Sequence, residues 1–181
     1  MEPYQSLTSD IETGRGGKTT AAFFDLDGTI IATHSVTDLF VERLFTGKVQ
    51  TEEVLDMASM VFKYMLKSTD FEESLKSSVA NLHGMEEEEL IELTEKVTEE
   101  RLEPQVFPEI KAMIRAHRKK GHTLVVVTSA SRYQVAPLAR QLGIDNILCT
   151  ELEVKKGKFT GRLAGPPCYG RVKLKAARTF A

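Results

Sequence analysis

The sequence predicts an α/β fold: a parallel sheet with an inserted, all-helical subdomain. Three observations carry this. Two short apolar runs, Ala21–Leu26 and Thr123–Val127, end in polar residues. Helical stripes alternate with apolar runs from about residue 107 onward. Between the two runs, from about Val36 to Leu102, only helical patterning occurs. A continuous apolar run suits a strand buried on both faces of a parallel sheet, and such strands need crossover helices between them.

Residues 1–18 are polar and end Gly-rich, which predicts a flexible tail. Gly16-Gly17-Lys18-Thr19 looks like the end of a P-loop, but Glu12 stands where the upstream glycine belongs and Gly14 is out of register. The segment also precedes a strand rather than following one, so the motif is rejected. The first strand runs into Asp25-Leu26-Asp27-Gly28-Thr29. Val36, Leu39, Phe40, Leu44 and Phe45 then form one helical stripe, and Val54, Leu55, Ala58, Val61, Phe62, Met65 and Leu66 a second. Phe71, Leu75, Val79 and Leu82 form a third, and Leu90, Leu93 and Val97 a fourth, opened by Glu86–Glu89. Acidic first turns complement the helix dipole.

Ile110, Met113, Ile114 and His117 mark a helix stopping at Gly121, ahead of the Thr123–Ser129 strand. Ser131 or Arg132 opens the next helix, with Pro137 tolerable in its first turn or two. Ile144–Cys149 reads as a third strand, Glu151–Leu163 as a hairpin, and Arg171–Phe180 as a basic helix.

The chain has 181 residues and a formal net charge of −2, with no basic excess of the kind that binds nucleic acid. Two cysteines, Cys149 and Cys168, are too few for a disulfide scaffold and fit a reducing compartment. No apolar stretch approaches a membrane span, and no apolar signal core opens the chain. The expectation is a cytoplasmic protein.

Ligand sites in open α/β sheets lie at the carboxyl ends of the strands, where Asp25 and Asp27 fall. Two residues apart, their side chains share one side of the chain, and such close like charges call for a cation; hard oxygen donors suit Mg²⁺. Gly28 permits a tight turn, and Thr29 adds a hydroxyl with an amide suited to phosphate. The plain alternative is a solvated Asp-Gly turn. Ser129 ends the second strand, where a hydroxyl and amides at a helix entrance either bind an anion or merely cap the helix. Lys173, at the start of the last helix, either screens phosphate and carboxylates or is a solvated lysine.

The order Asp-x-Asp-Gly-Thr, strand-Ser, Lys resembles the haloacid dehalogenase superfamily, and more narrowly its phosphoserine-phosphatase-like branch, subfamily IB. The resemblance rests on Phe24–Thr29, on Val127–Ser131, and on Gly157–Arg162 followed by Gly165–Gly170 and Lys173. It implies a Rossmann-like core over 19–33 and 107–181 and a helical (C1-type) cap over 34–106. It implies that Asp25 attacks phosphorus and that Asp27 acts as general acid and base. Asp25 and Asp27 would hold Mg²⁺, Asp27 through its carbonyl, while Thr29, Ser129 and Lys173 grip the phosphoryl group. The substrate would be a small phosphorylated metabolite, hydrolysed through an aspartyl-phosphate.

Two departures stand out. Where phosphoserine phosphatases carry a glutamate that reads the substrate amine, this chain has His34, which supplies no fixed negative charge; the alternative is a solvated residue at a helix start. The family's fourth motif, a further strand ending in acidic residues, finds no counterpart, since no Asp or Glu follows Glu153. The expectation is a fragment or a catalytically impaired chain, with last core strand(s) missing and Ala21–Leu26 left as an apolar edge. The function classes left open are a Mg²⁺-dependent phosphohydrolase, a non-catalytic remnant binding phosphate or a protein partner, and a phosphotransferase.

Overall fold

The computed structural model describes residues 4–45, 47 and 71–181. The second helical stripe, Val54–Leu66, lies outside them. Strands β1 (Ala21–Phe24), β2 (Thr123–Ser131) and β3 (Asn146–Thr150) form a parallel sheet in the order β1-β2-β3. β2 is central, which explains its continuous apolar run: Val125 and Val126 are fully buried. Helices α1 (Gln5–Thr13), α2 (Ser35–Phe45), α3 (Phe71–Ala80), α4 (Glu87–Val97), α5 (Pro108–Lys119), α6 (Arg132–Gln141) and α7 (Gly170–Phe180) complete the described helices, with a π turn (Thr98–Leu102) and a 3₁₀ turn (Glu103–Gln105) extending α4. The order is strand, helical insertion, helix, strand, helix, strand, as the patterning predicts.

Period-two alternation continues past the end of β1. Phe24 and Leu26 are buried while Asp25 and Asp27 are half-buried, so the apolar residues enter the core and the carboxylates face the other way. Ile30 and Ile31 then return to the core. Each such buried aliphatic contributes about 1.5–3 kcal/mol, so the Asp-bearing turn is anchored on both sides. The insertion enters and leaves through one neck. Phe107 donates its amide to Ile30 O at 3.0 Å, and Ala32 donates to Gln105 O at 2.9 Å.

A second apolar cluster joins Val79, Leu82, Leu90 and Leu93 of the insertion to Leu152 and Phe159. The last two belong to a hairpin of β4 (Leu152–Lys155) and β5 (Lys158–Leu163). Its turn places Lys156 (φ 53°) and Gly157 (φ 77°) in the left-handed region, the geometry of a two-residue hairpin turn. Gly161 is required by close approach, since a Cβ there would meet the Ala80 carbonyl at 3.2 Å. The hairpin therefore packs with the insertion, although it follows the sheet in sequence.

Three expectations need correction. The N-terminal tail is helical over Gln5–Thr13 and tied down: Lys120 donates to Glu12 O at 3.0 Å, and Gly17 donates its amide to Lys120 O at 2.8 Å. The α2 stripe does not all turn inward; Val36, Leu44 and Phe45 are exposed, and the buried side carries Ser35 and Glu42. Pro137, by contrast, falls where expected, as the sixth residue of α6 in its second turn, and is buried. The apolar edge is half-covered: β1 has one strand neighbour among the described residues, yet Phe23 meets Phe180 of α7 edge-on at 6.1 Å. Among the described residues, no helix is long and apolar enough to cross a membrane.

Candidate active site

Parallel register places Phe24 beside Val126, so Asp25 and Asp27 emerge next to the end of β2. There β2 bulges. Val127 pairs with Leu148, but Ser131 pairs with Thr150, so Ser129 lies in the irregular stretch. Two buried hydroxyls shape it. Thr128 Oγ1 accepts the Ala130 amide at 3.1 Å, and Thr150 Oγ1 donates to the Ser129 carbonyl at 2.8 Å. Thr150 also accepts the Cys168 amide at 3.1 Å, which fixes the loop leading into α7.

That loop delivers Lys173. Its ammonium donates to Asp25 Oδ2 at 2.6 Å, with side chains 27 % and 41 % exposed respectively. Asp25 Oδ1 accepts the Leu26 amide at 2.8 Å. Asp27 Oδ1 accepts the Ser35 amide at 2.7 Å, where α2 begins. Burial pushes the Cys168 thiol up, with Lys173 opposing and Asp25 reinforcing the shift, so the thiol lies within electrostatic reach of the pair. Burial also pushes Cys149 up to about 12, assisted by Glu151. Neither cysteine is suited to thiolate chemistry.

The six residues singled out in sequence are distributed as follows. Asp25 and Lys173 are in direct contact, and Asp27 and Ser129 flank them at the strand ends. Thr29 sits in the same turn, and its amide donates back to Leu26 O at 3.2 Å rather than outward. His34 is exposed, and its carbonyl accepts the amides of Thr37 and Asp38 at the start of α2. Ser35, Gln134 and Thr150 escaped the sequence reading, and Thr128 entered it only as part of the Val127–Ser131 run. Only Gln134 carried a signal, the Ser131-x-x-Gln134 capping box.

Among the described residues no group of three or more His, Cys, Asp or Glu side chains gathers to hold a metal. The donors on offer are hard oxygens from Asp25 and Asp27. That set fits Mg²⁺, which binds through one or two carboxylates and retains several waters.

A carboxylate paired with a lysine, a second carboxylate and nearby hydroxyls thus gather at the ends of parallel strands. The family model for haloacid dehalogenase-like hydrolases matches residues 22–181, and the chain belongs to that family, among its phosphoserine-phosphatase-like members. A probable phosphatase of Mycobacterium tuberculosis is 32% identical over 165 residues, covering 90% of this chain. The chain spans 57% of that relative's length. A Bordetella pertussis protein of unknown function shares the fold, with TM-score 0.76 and 22% identity over 89% of this chain and 73% of that one. A phosphoserine phosphatase solved as a phospho-aspartyl intermediate analogue matches with TM-score 0.56 and 25% identity, covering 82% of this chain and 64% of that one.

Proposed function

We propose that this chain carries the catalytic machinery of a Mg²⁺-dependent phosphohydrolase acting on small phosphomonoesters through an aspartyl-phosphate. The observation that carries the reading is the contact between Lys173 and Asp25, which joins the two ends of the matched region at the strand termini. In this reading one Asp25 carboxylate oxygen attacks phosphorus in line, and the bond from phosphorus to the leaving oxygen breaks. Asp27 gives its proton to that oxygen, then takes one from the water that hydrolyses the acyl phosphate, releasing phosphate and restoring Asp25. Lys173, Thr29 and Ser129 hold the phosphoryl oxygens and offset the charge developing on them. Mg²⁺, held by the Asp25 carboxylate and the Asp27 carbonyl, supplies further charge neutralisation when bound.

Residues 34–106 form the cap in this proposal, and packing of the β4–β5 hairpin against α3 and α4 supports counting the hairpin with it. Caps of this kind exclude water and select substrate. His34, exposed at the root of the cap, is the residue proposed to meet the substrate's leaving group. The near-neutral charge accords with a small phosphorylated metabolite, and the two free thiols with a cytoplasmic setting.

The test is hydrolysis of an aryl phosphate with and without Mg²⁺, by this chain and by Asp25→Asn. Mg²⁺-dependent turnover that falls at least about 10³-fold in the variant is the expected result. A folded chain that binds phosphate without turnover overturns the enzyme reading in favour of a binding remnant. Transfer of the phosphoryl group to an added alcohol in preference to water replaces hydrolysis with phosphotransfer.

A further inference from the structure

We propose that Gln134 is a positioning residue for Asp27, acting through Ser35; the catalytic half of this inference rests on the function proposed above. Four hydrogen bonds carry it. Gln134 Oε1 accepts both the amide and the hydroxyl of Ser131, at 2.9 and 2.8 Å. Those bonds fix which end of the carboxamide is oxygen, because the oxygen is the only acceptor on the group. Its nitrogen must therefore point the other way, where it donates to Ser35 Oγ at 3.3 Å. Ser35 in turn donates its own amide to Asp27 Oδ1 at 2.7 Å.

Ser35 is 1% exposed and opens α2, the first helix of the insertion. Gln134 stands in the first turn of α6, directly after the bulge that presents Ser129. One side chain thus ties together the entrance of α6, the root of the insertion and the second carboxylate. Asp27 Oδ1 is occupied by the Ser35 amide, so Oδ2 is the oxygen left to carry the proton. A carboxylate that transfers a proton must hold that oxygen within hydrogen-bond reach of the leaving group, and a free rotation about its last torsion would spoil this. Capping explains only half of what Gln134 does. A helix cap needs the carboxamide oxygen and makes no use of the nitrogen.

The two roles separate experimentally. Ser35→Ala leaves the Ser131–Gln134 cap intact and removes the acceptor for the carboxamide nitrogen. Gln134→Ala removes both. We measure kcat/KM on an alkyl phosphate and on p-nitrophenyl phosphate, since an alkoxide needs a proton on leaving far more than a nitrophenolate does. Each single variant should lose about tenfold on the alkyl phosphate and less than about threefold on the aryl one. The double variant should be no worse than Gln134→Ala alone, because both substitutions break one tie. Equal losses on both substrates in Gln134→Ala, with Ser35→Ala unaffected, would reduce Gln134 to a helix cap and overturn the proposal.

Amide hydrogen exchange supplies a readout independent of turnover. The Ser35 amide should exchange at least about tenfold faster in Gln134→Ala, while the Val125 amide in the central strand keeps its protection. Unchanged exchange at Ser35 overturns the tie whatever the kinetics. Faster exchange at Ser35 in a chain that hydrolyses neither phosphate upholds the tie and sinks the proposed activity instead.

Discussion

Two carboxylates of this chain hold cations from distant segments at nearly the same distance, and only one belongs to the candidate site. Asp25 accepts from Lys173 at 2.6 Å; Glu42 accepts from Lys96 at 2.7 Å and from Arg101 at 2.9 Å. Their surroundings differ. The Asp25 side chain is 41 % exposed, at the carboxyl end of a strand, with a second carboxylate and hydroxyls beside it. The Glu42 side chain is 5 % exposed, and its two oxygens are each taken by a cation. Hydrogen bonds from Lys96 and then Arg101 hold its carboxyl below the usual carboxylate range. Pairing distance therefore does not mark a functional carboxylate. What marks it is an ion pair that a ligand can reach, with a second carboxylate and hydroxyls beside it.

Substitutions can break that contrast, beginning with the largest effect. Asp25→Asn should abolish turnover as stated above while hardly moving the melting temperature, since an exposed pair contributes about 0–1 kcal/mol. Lys173→Met should lower kcat/KM by about 10²–10³-fold, the loss expected when one donor to developing charge is removed. A stopped assay with aryl phosphate checks both. Glu42→Gln should do the reverse, leaving kcat per folded molecule within about twofold and lowering the urea midpoint. The pH dependence has a definite sign. A carboxyl lowered on folding stabilises the native state fully above its unfolded value of 4.5, and that contribution is lost as pH falls through the folded value. The loss of stability below pH 4.5 should accordingly be shallower in Glu42→Gln than in the parent chain.

The same contrast shows what the sequence could reveal. The strand-end placement of Asp25, Asp27 and Ser129 was legible because strand ends are readable from apolar runs and ligand sites follow the topology of parallel sheets, whereas Lys173 stands on α7 and was singled out by motif order alone. Leu26, Ile30 and Ile31 were legible as apolar residues, but not as the anchor that braces the carboxylates. Glu42 was not legible at all. Its neighbours on the chain, Val36, Leu44 and Phe45, have the better claim to burial by hydropathy, and they are exposed while it is not. Only the tertiary arrival of Lys96 and Arg101 makes a buried glutamate tolerable, and a helical stripe carries no record of that. Thr150 is similar: a threonine ending an edge strand gives no sign that it will bind both the Ser129 carbonyl and the Cys168 amide. The N-terminal helix was missed because its anchors lie on α5 and beyond it, about a hundred residues away in sequence.

One of those anchors yields the smallest prediction. His117 and His122 approach through their Nδ1 atoms at 2.8 Å, and His122 Nε2 lies 2.7 Å from the Arg15 carbonyl. A carbonyl only accepts, so His122 donates from Nε2, and a single proton bridges the two Nδ1 atoms. Burial, then the charge of His122, holds His117 below its ordinary value of 6.5. The unfolded chain thus takes up a proton at a pH where the folded chain does not, and stability falls as pH drops through about 6.5. This window lies above that of Glu42, so the two contributions separate on one thermal titration. His117→Leu should flatten the melting temperature between pH 7.5 and 5.5 and leave the loss below pH 4.5 in place, while Glu42→Gln should do the opposite. A parent slope between pH 7.5 and 5.5 that survives His117→Leu would place the proton uptake elsewhere and release the N-terminal helix from this histidine pair.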